Sequence, residues 1–342
     1  MDYSTATITF PMFGDWLVLN LPRSFTLFGF EIYYYGLFIT AGYALAGIYL
    51  IKRRELFGLT KDNILDLILI AVPCGLVGAR IYYMLFNFND FFAPGMWGNI
   101  LRFRDGGLAV YGGIIASGIV FIIYSRVKKM PLGNLLDAAG FGLLIGQAVG
   151  RWGNFINREA FGTVTDLPWK MGLTRPGRET EYVHPAFLYE SLWNITGLVL
   201  MHIFSKKSKT KYPGQYFLFY VAWYGLGRFM IEGLRTDSLM IWGTQLRASQ
   251  WLAVFSFLAA TGILLFNHFR GKKTETLEST DDEETDDEDG SEELAELDGA
   301  AEEDIDDENE PDNEPEDEEN SDELAELDGA TEVDIENEKE KQ

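Results

Sequence analysis

The sequence predicts an all-α integral membrane protein with about seven transmembrane helices, an outside N-terminus, a cytoplasmic C-terminus and a disordered acidic tail. Three observations predict it. Seven mostly apolar stretches each approach the ~20 residues needed to cross the ~30 Å apolar core of a bilayer. Clusters of Lys and Arg fall at every second junction between those stretches, as the positive-inside rule requires. The charge is also sharply divided. The formal charge is −24, yet 36 of the 52 acidic residues lie in 274–342 beside two of the 28 basic ones. Residues 1–273 keep 16 acidic and 26 basic residues and carry +10.

The elements follow in order. Residues 1–30 mix aromatics, prolines and glycine, and 5–10 and 16–20 read as short strands or as an amphipathic piece at the interface. No Lys or Arg precedes Arg23, so a secretory signal's basic region is not expected and insertion relies on the internal spans. The spans are read at 31–51, 65–86, 107–125, 133–151, 185–204, 213–234 and 249–268. Lys52, Arg53 and Arg54 follow the first, and Arg126, Lys128 and Lys129 the third. Lys206, Lys207, Lys209 and Lys211 follow the fifth, and Arg270, Lys272 and Lys273 the seventh. A missed or false span would break this alternation.

The membrane body is therefore read as 1–273 and the tail as 274–342. The tail has few large apolar residues and cannot offset the entropy of ordering. It repeats Glu293-Leu294-Ala295-Glu296-Leu297-Asp298-Gly299-Ala300 as Glu323-Leu324-Ala325-Glu326-Leu327-Asp328-Gly329-Ala330. Two copies do not make a solenoid. The repeat reads as a duplicated solvated extension, with docking to an unknown cytoplasmic partner as the sharper alternative.

The single cysteine, Cys74, excludes an intramolecular disulfide and reads as a small core residue. His184, His202 and His268 share no ligand spacing with it, so no metal site is expected. No cofactor and no nucleic-acid partner is expected either.

The chemistry concentrates where the fourth span ends, in Gly150-Arg151-Trp152-Gly153-Asn154-Phe155-Ile156-Asn157-Arg158-Glu159-Ala160-Phe161-Gly162. Charges at a membrane edge either snorkel to headgroups or build a site. For Arg158 alone the anchoring role is the simpler one. Asn154 and Asn157 bring amides, Glu159 can compensate an arginine, and the glycines permit close approach. Within spans, ionisable groups cost about 2.5–3.5 kcal/mol each on insertion. Arg80 stands in the second span, and Glu190 follows His184-Pro185 into the fifth. In the sixth, Tyr224, Arg228, Glu232 and Arg235 are spaced four, four and three, which places them on one helical stripe. Arg228 and Glu232 can neutralise each other, leaving one cation on that stripe for a lipid phosphate. Arginine suits this because its planar fork pairs with phosphate oxygens. The outside arginines 102, 104, 158, 175, 178 and 247 run against the topological bias and add weight to a phosphate role. Gly142, Gly146 and Gly150 give a smooth packing face on the fourth span, and Tyr33, Tyr34 and Tyr35 open the first as an interfacial belt. Asp105-Gly106-Gly107 implies a turn and a close approach near Tyr111.

These stretches together resemble the bacterial prolipoprotein diacylglyceryl transferases. The 150–162 segment is similar to that family's Gly-Arg-x-Gly-Asn-Phe-x-Asn-x-Glu-x-x-Gly signature. Tyr34-Tyr35-Gly36, Gly78-Ala79-Arg80, Asp105-Gly106-Gly107, His184-Pro185, Tyr189-Glu190 and the Tyr224-to-Arg235 stripe come in the family's order over roughly 20–270. The tail lies outside the resemblance. It implies transfer of a diacylglyceryl group from phosphatidylglycerol to the lipobox cysteine of a prolipoprotein, at the bacterial cell membrane, with the active site toward the outer face. It implies Arg151 as phosphate ligand, with Asn154, Glu159, Arg228, Glu232 and Tyr35 as further important positions. Many members have His where Tyr111 stands, and others have Tyr. The expected catalytic set is Arg151, Arg228, Tyr35, Tyr111 and Glu232. The expected substrate-binding set is Arg151, Asn154, Asn157, Glu159, Arg80, His184, Glu190 and Arg235. The competing readings are a transporter or channel for an anionic solute and a non-catalytic receptor for anionic lipid. Transporter folds often carry internal repeats, and the membrane body shows none in sequence.

Overall fold

The computed structural model describes residues 3, 5–14, 16–92, 97–102, 106–207, 212–235 and 247–283. The expectations placed on Arg104, Asp105, Lys209, Lys211 and the tail repeat lie outside them. Four strands precede the first helix: β1 (Thr7–Thr9), β2 (Val18–Leu19), β3 (Ser24–Leu27) and β4 (Phe30–Tyr33). The helices α1 (Tyr34–Lys52), α2 (Lys61–Phe86), α3 (Phe88–Phe92), α4 (Val110–Val127) and α5 (Leu132–Asn157) follow. A hairpin of β5 (Met171–Thr174) and β6 (Thr180–Val183) leads to α6 (Ala186–Lys207), α7 (Gln215–Glu232) and α8 (Ala248–Glu283).

Six of these helices are long and apolar enough to span a membrane: α1, α2, α4, α5, α6 and Ser249–Arg270 of α8. The chain is thus a mostly helical, multi-pass membrane protein. The helix in the expected sixth span, α7, forms as read, but Gln215, Arg228 and Glu232 together with Tyr216, Tyr220 and Tyr224 hold its hydropathy below that of the others. At the other end of the chain, α8 continues past residue 273 to Glu283.

The organising helix is α5, which packs against α1, α6 and α7. The glycine face read from sequence is its contact with α1. A Cβ added at Gly42 of α1 would meet the Gly146 Cα at 3.3 Å, and one at Gly150 would meet Ile39 at 3.3 Å. Near the start of α5, Asp137 caps α7, accepting from the Gly214 and Phe217 amides at 2.8 Å each. That satisfies two of the four amides that any helix N-terminus leaves open. A buried cluster that includes Phe57, Leu135, Phe141, Leu144, Met201 and Tyr216 fills this half of the bundle.

Helix α2 starts with a reciprocal cap: Thr60 Oγ1 accepts from the Asn63 amide, and Asn63 Oδ1 accepts from the Thr60 amide. It then packs against α4 with backbones in direct approach. A Cβ at Gly112 would run into the Gly78 carbonyl oxygen and the Tyr82 Cβ. Cys74, expected in the core, is instead exposed on α2. A membrane helix buries only the face that meets other helices, and the rest of its apolar surface faces acyl chains.

The sheet was only partly foreseen. The strands read at 5–10 and 16–20 form and pair antiparallel, with Ile8 opposite Leu19. The β5–β6 hairpin, which no pattern in the sequence announces, completes an antiparallel sheet in the order β2-β1-β5-β6. Its inner face joins Tyr3, Ala6, Ile8, Met171, Leu173 and Val183 to Phe155 of α5 and Phe187 of α6. The sheet therefore sits on the end of the bundle where α5 finishes and α6 begins. The second, two-stranded sheet, β3–β4, runs straight into α1.

The α2–α4 contact predicts its own weak point. Gly112→Leu should lower stability by about 1–3 kcal/mol or more, the usual cost of overpacking a well-packed contact. Thermal unfolding in detergent measures it, and an unchanged midpoint would contradict the close approach.

Candidate functional site

The site is built where α5 and α7 end and α6 begins. The carboxylate of Glu190, in the first turns of α6 and buried, is its centre. Arg151 Nη2 meets Glu190 Oε2 at 2.5 Å. From α7, Arg228 Nη1 approaches the same oxygen at 3.9 Å. Arg235, just past α7, reaches Oε1 at 3.4 Å. Arg228 Nη2 also pairs with Glu232 Oε2 at 2.7 Å, one helical turn on. Ser249 of α8 donates to Glu232 Oε1 at 2.6 Å.

The stripe read on α7 is joined by Arg151 and Glu190 from two other helices, and within this cluster of described residues one positive charge is still left over, because Arg151, Arg228 and Arg235 are set against two carboxylates, Glu190 and Glu232. Glu190 arrives from α6 and shares itself among three arginines. The charges are also unequally covered. The Arg151 and Arg228 side chains are each 21% exposed, and that of Glu190 only 8%. The two arginine side chains are thus more open than the carboxylate that joins them.

A second arm extends from Arg151 through two amides of the signature segment to the Glu159 carboxylate. Arg151 Nη1 donates to Asn154 Oδ1 at 3.3 Å, and Asn154 Nδ2 donates to Glu159 Oε1 at 2.8 Å. Asn157 Nδ2 donates to the same Glu159 oxygen at 3.3 Å. The Tyr35 ring lies against this helix end: a Cβ at Gly153 would sit 2.6 Å from its Cδ2. Gly153 is therefore needed for that close approach.

The segment leaves α5 through Arg158, a left-handed residue at φ 52°. Arg158 is only 3% exposed and donates to the Ala6 and Ile156 carbonyls at 2.8 Å each. The anchoring role expected for it is replaced by a clamp between the N-terminal segment and the end of α5. Arg23 adds a bond from Nη2 to the Asn157 carbonyl at 2.9 Å. Both cations are tolerated here because each binds a carbonyl at the negative end of the α5 dipole, Ile156 for Arg158 and Asn157 for Arg23. Burial, and then the neighbouring Arg23, still pull the Arg158 guanidinium below its ordinary value.

The other expected residues are placed elsewhere. Arg80 is buried with its fork turned into a loop, donating to the carbonyls of Asn99 (2.6 Å), Ile100 (3.3 Å), Arg102 (3.0 Å), Gly106 (2.6 Å) and Gly107 (3.0 Å). Its guanidinium also covers the Phe91 ring. The turn expected at Gly106-Gly107 is present, at φ 86° and 72°. Tyr111 opens α4 and is exposed, and among the described residues it makes no hydrogen bond to the cluster. His184 flanks the site, with Nδ1 3.2 Å from the Tyr189 hydroxyl, which also accepts from Trp169 Nε1 at 2.7 Å. The backbone of Gly162 bridges to that of Arg235 and binds the His184 carbonyl at 2.9 Å, tying the signature loop to the end of α7.

Sequence reasoning missed Ser249 and Arg23. Neither carries a pattern: one is a serine beginning a helix and the other an isolated arginine before a strand. Chemically, the arrangement can hold an oxyanion between guanidiniums of two helices and orient it with amides, at the end of a membrane bundle. No metal need be invoked for that.

Residues 22–266 match the family model described as prolipoprotein diacylglyceryl transferase. Similar proteins are named phosphatidylglycerol–prolipoprotein diacylglyceryl transferase. One from Pediococcus pentosaceus is 41% identical over 253 residues, 72% of this chain and 89% of that protein. One from Clostridioides difficile is 40% identical over 250 residues, 73% of this chain and 95% of that protein. One from Streptococcus pneumoniae is 42% identical over 255 residues, 74% of this chain and 95% of that protein. With its signature loop, α7 stripe and helix order all inside the matched region, the chain belongs to the prolipoprotein diacylglyceryl transferase family.

Proposed function

We propose that this chain transfers the diacylglyceryl group of phosphatidylglycerol to the lipobox cysteine of prolipoproteins, the first step of bacterial lipoprotein maturation. The observation that carries the reading is the convergence of Arg151 and Arg228, from two helices, on one carboxylate oxygen of Glu190. Two guanidiniums aimed at one oxygen suit a phosphate, which offers several oxygens to the same pair.

The nucleophile belongs to the substrate. A free cysteine thiol has a pKa near 8.5, so only a few per cent is thiolate at neutral pH. Its sulfur attacks an sp³ carbon of the glyceryl group. A C–S bond forms, the C–O bond to phosphate breaks, and glycerol phosphate leaves with the electron pair. Negative charge grows on the leaving phosphate, so fixed cations beside it favour the transition state over the ground state. Arg151 and Arg228 take that role, with Arg235 beside them on the other Glu190 oxygen. Asn154, Asn157 and Glu159 orient the headgroup and Arg151. The thiol proton goes to Tyr35, Tyr111 or Glu232. Of these, Glu232 is the one within the arginine cluster.

The topology follows the same proposal. Counting α7 with the six apolar helices gives seven spans. Basic clusters then mark the cytoplasmic junctions, and the site faces outside, where prolipoproteins present their lipobox. The partners are phosphatidylglycerol, the lipobox region and the bilayer. Residues 1–273 carry the reaction, and the acidic tail stays in the cytoplasm, outside the chemistry.

The direct test is purified protein in phosphatidylglycerol liposomes with a lipobox peptide, read by mass spectrometry. A diacylglycerol mass gain on cysteine is expected, absent for a Cys→Ser peptide. If active-site-intact protein gives no adduct, solute flux in the same liposomes tests the transporter reading. Arg151→Ala should cost on the order of 100- to 1,000-fold in kcat, the scale set by losing one oxyanion-stabilising group, while the protein remains inserted. Normal transfer in that variant would remove the phosphate assignment. Glu190→Gln should lower the KM for phosphatidylglycerol, because an internal competitor for the arginines is gone, and should lower Tm. A raised KM would show that Glu190 holds the arginines in place more than it competes. Tyr111→Phe should keep kcat within about 3-fold, since general-base catalysis is ordinarily worth 100-fold or more. A larger loss would move the base assignment to Tyr111.

A further inference from the structure

The pattern Trp-x-x-x-Gly occurs in both α6 and α7, as Trp193-Asn194-Ile195-Thr196-Gly197 and Trp223-Tyr224-Gly225-Leu226-Gly227. Residues four apart share one face of a helix. Each helix therefore presents a large indole beside a position with no side chain.

The structure fits these two faces together reciprocally. Trp193 Nε1 donates to the Trp223 carbonyl at 3.0 Å, and Trp223 Nε1 donates to the Trp193 carbonyl at 3.0 Å. The two rings stack at 4.3 Å between centroids and 16° between planes. Each indole occupies the space the opposite glycine leaves. A Cβ on Gly197 would lie 2.5 Å from Trp223 Cδ1, and one on Gly227 would run into the Trp193 indole, with Cε2 at 2.7 Å. The carbonyl that receives each indole is the one whose helical partner is the amide of that glycine, four residues on. It has a second lone pair to give. The absent Cβ is what lets the indole reach it.

This contact lies beside the arginine cluster. Glu190 is three residues before Trp193, and Arg228 directly follows Gly227. Their oxygen and nitrogen stand 3.9 Å apart, at the edge of ion-pair range. Sliding α6 along α7 by a single residue moves Glu190 by about 1.5 Å, enough to make or break that approach. We propose that Trp193, Trp223, Gly197 and Gly227 form a clasp that sets the register of α6 against α7 and so positions Glu190 and Arg228 for transfer. The four are positioning residues, because they act on the reacting groups through the helices that carry them. The proposal rests on the transferase reading of the site.

The test uses the full chain in phosphatidylglycerol liposomes, with kcat and KM from the mass-spectrometric adduct assay. Three variants are compared with wild type: Gly227→Ala, Gly227→Ala combined with Trp193→Leu, and Trp193→Phe. Gly227→Ala should lower kcat by on the order of 10- to 100-fold, as small displacements of catalytic groups do, with peptide KM nearly unchanged. Trp193→Leu should restore most of that loss by making room for the added methyl group. Trp193→Phe adds no atom and removes one indole N–H, so it should fold and lose about 2- to 10-fold in kcat, a hydrogen bond's worth of register control. If Gly227→Ala is not recovered from the membrane, the Trp193→Phe loss in kcat decides alone. Wild-type kcat in Gly227→Ala or in Trp193→Phe overturns the clasp, as does a double variant no faster than Gly227→Ala. The transferase reading fails separately, when wild type gives no adduct, and the clasp's role in transfer fails with it.

Discussion

A carboxylate shared by arginines at the end of a membrane bundle is the constraint on which the structure depends. Ionisable side chains within spans each cost about 2.5–3.5 kcal/mol on insertion when unmatched. Glu190, Arg151 and Arg228 therefore have to find each other, and they stand on three different helices. That requirement fixes α5, α6 and α7 in depth and rotation at once. The close backbone contacts serve it. Gly42, Gly146 and Gly150 let α1 and α5 approach, Asp137 pins the start of α7 to α5, and the tryptophan pair holds α6 to α7.

The same constraint explains why the exposed end carries so many arginine-to-carbonyl bonds. Arg80, Arg158 and Arg23 are basic residues spent on backbone oxygens. Loops and helix ends near a bilayer offer carbonyls that water does not fully satisfy, and a guanidinium satisfies several of them from one side chain. Arg80 alone takes up five. Two classes of arginine thus coexist in the chain. One class meets carboxylates and keeps part of its surface open, and the other is consumed by backbone.

Much of this was legible in the sequence. Hydropathy located the six described helices that are long and apolar enough to span, because burial in lipid demands long apolar runs. The spacing of Arg228, Glu232 and Arg235 placed them on one face, because helical periodicity is local. Tyr35 and the signature loop were singled out as a site. What was not legible is what depends on partners distant in sequence. Nothing local says that Glu190 sits between Arg151 and Arg228, or that Ser249 turns to Glu232. An arginine's sequence context does not tell whether it will meet carbonyls or an anion, so Arg80 was read with the site. Cys74 was misplaced for a related reason. Apolar periodicity in a span does not separate the face toward protein from the face toward lipid. The β5–β6 hairpin was hidden by its brevity and by the polar composition of a loop already crowded with site residues.

The sheet also imposes an order on biogenesis. Ile8 of β1 pairs with Leu173 of β5, 165 residues later in the chain. At ordinary synthesis rates of ~5–20 residues per second, that interval lasts roughly 8–33 s. Throughout it β1 has no β5 to pair with, and for most of it Arg158 has not yet been made to hold the Ala6 carbonyl. The first residues to emerge are therefore among the last to be fixed. Since the sheet packs on the end of α5 beside Arg151, the site is completed only after the ribosome has passed the signature loop and its hairpin.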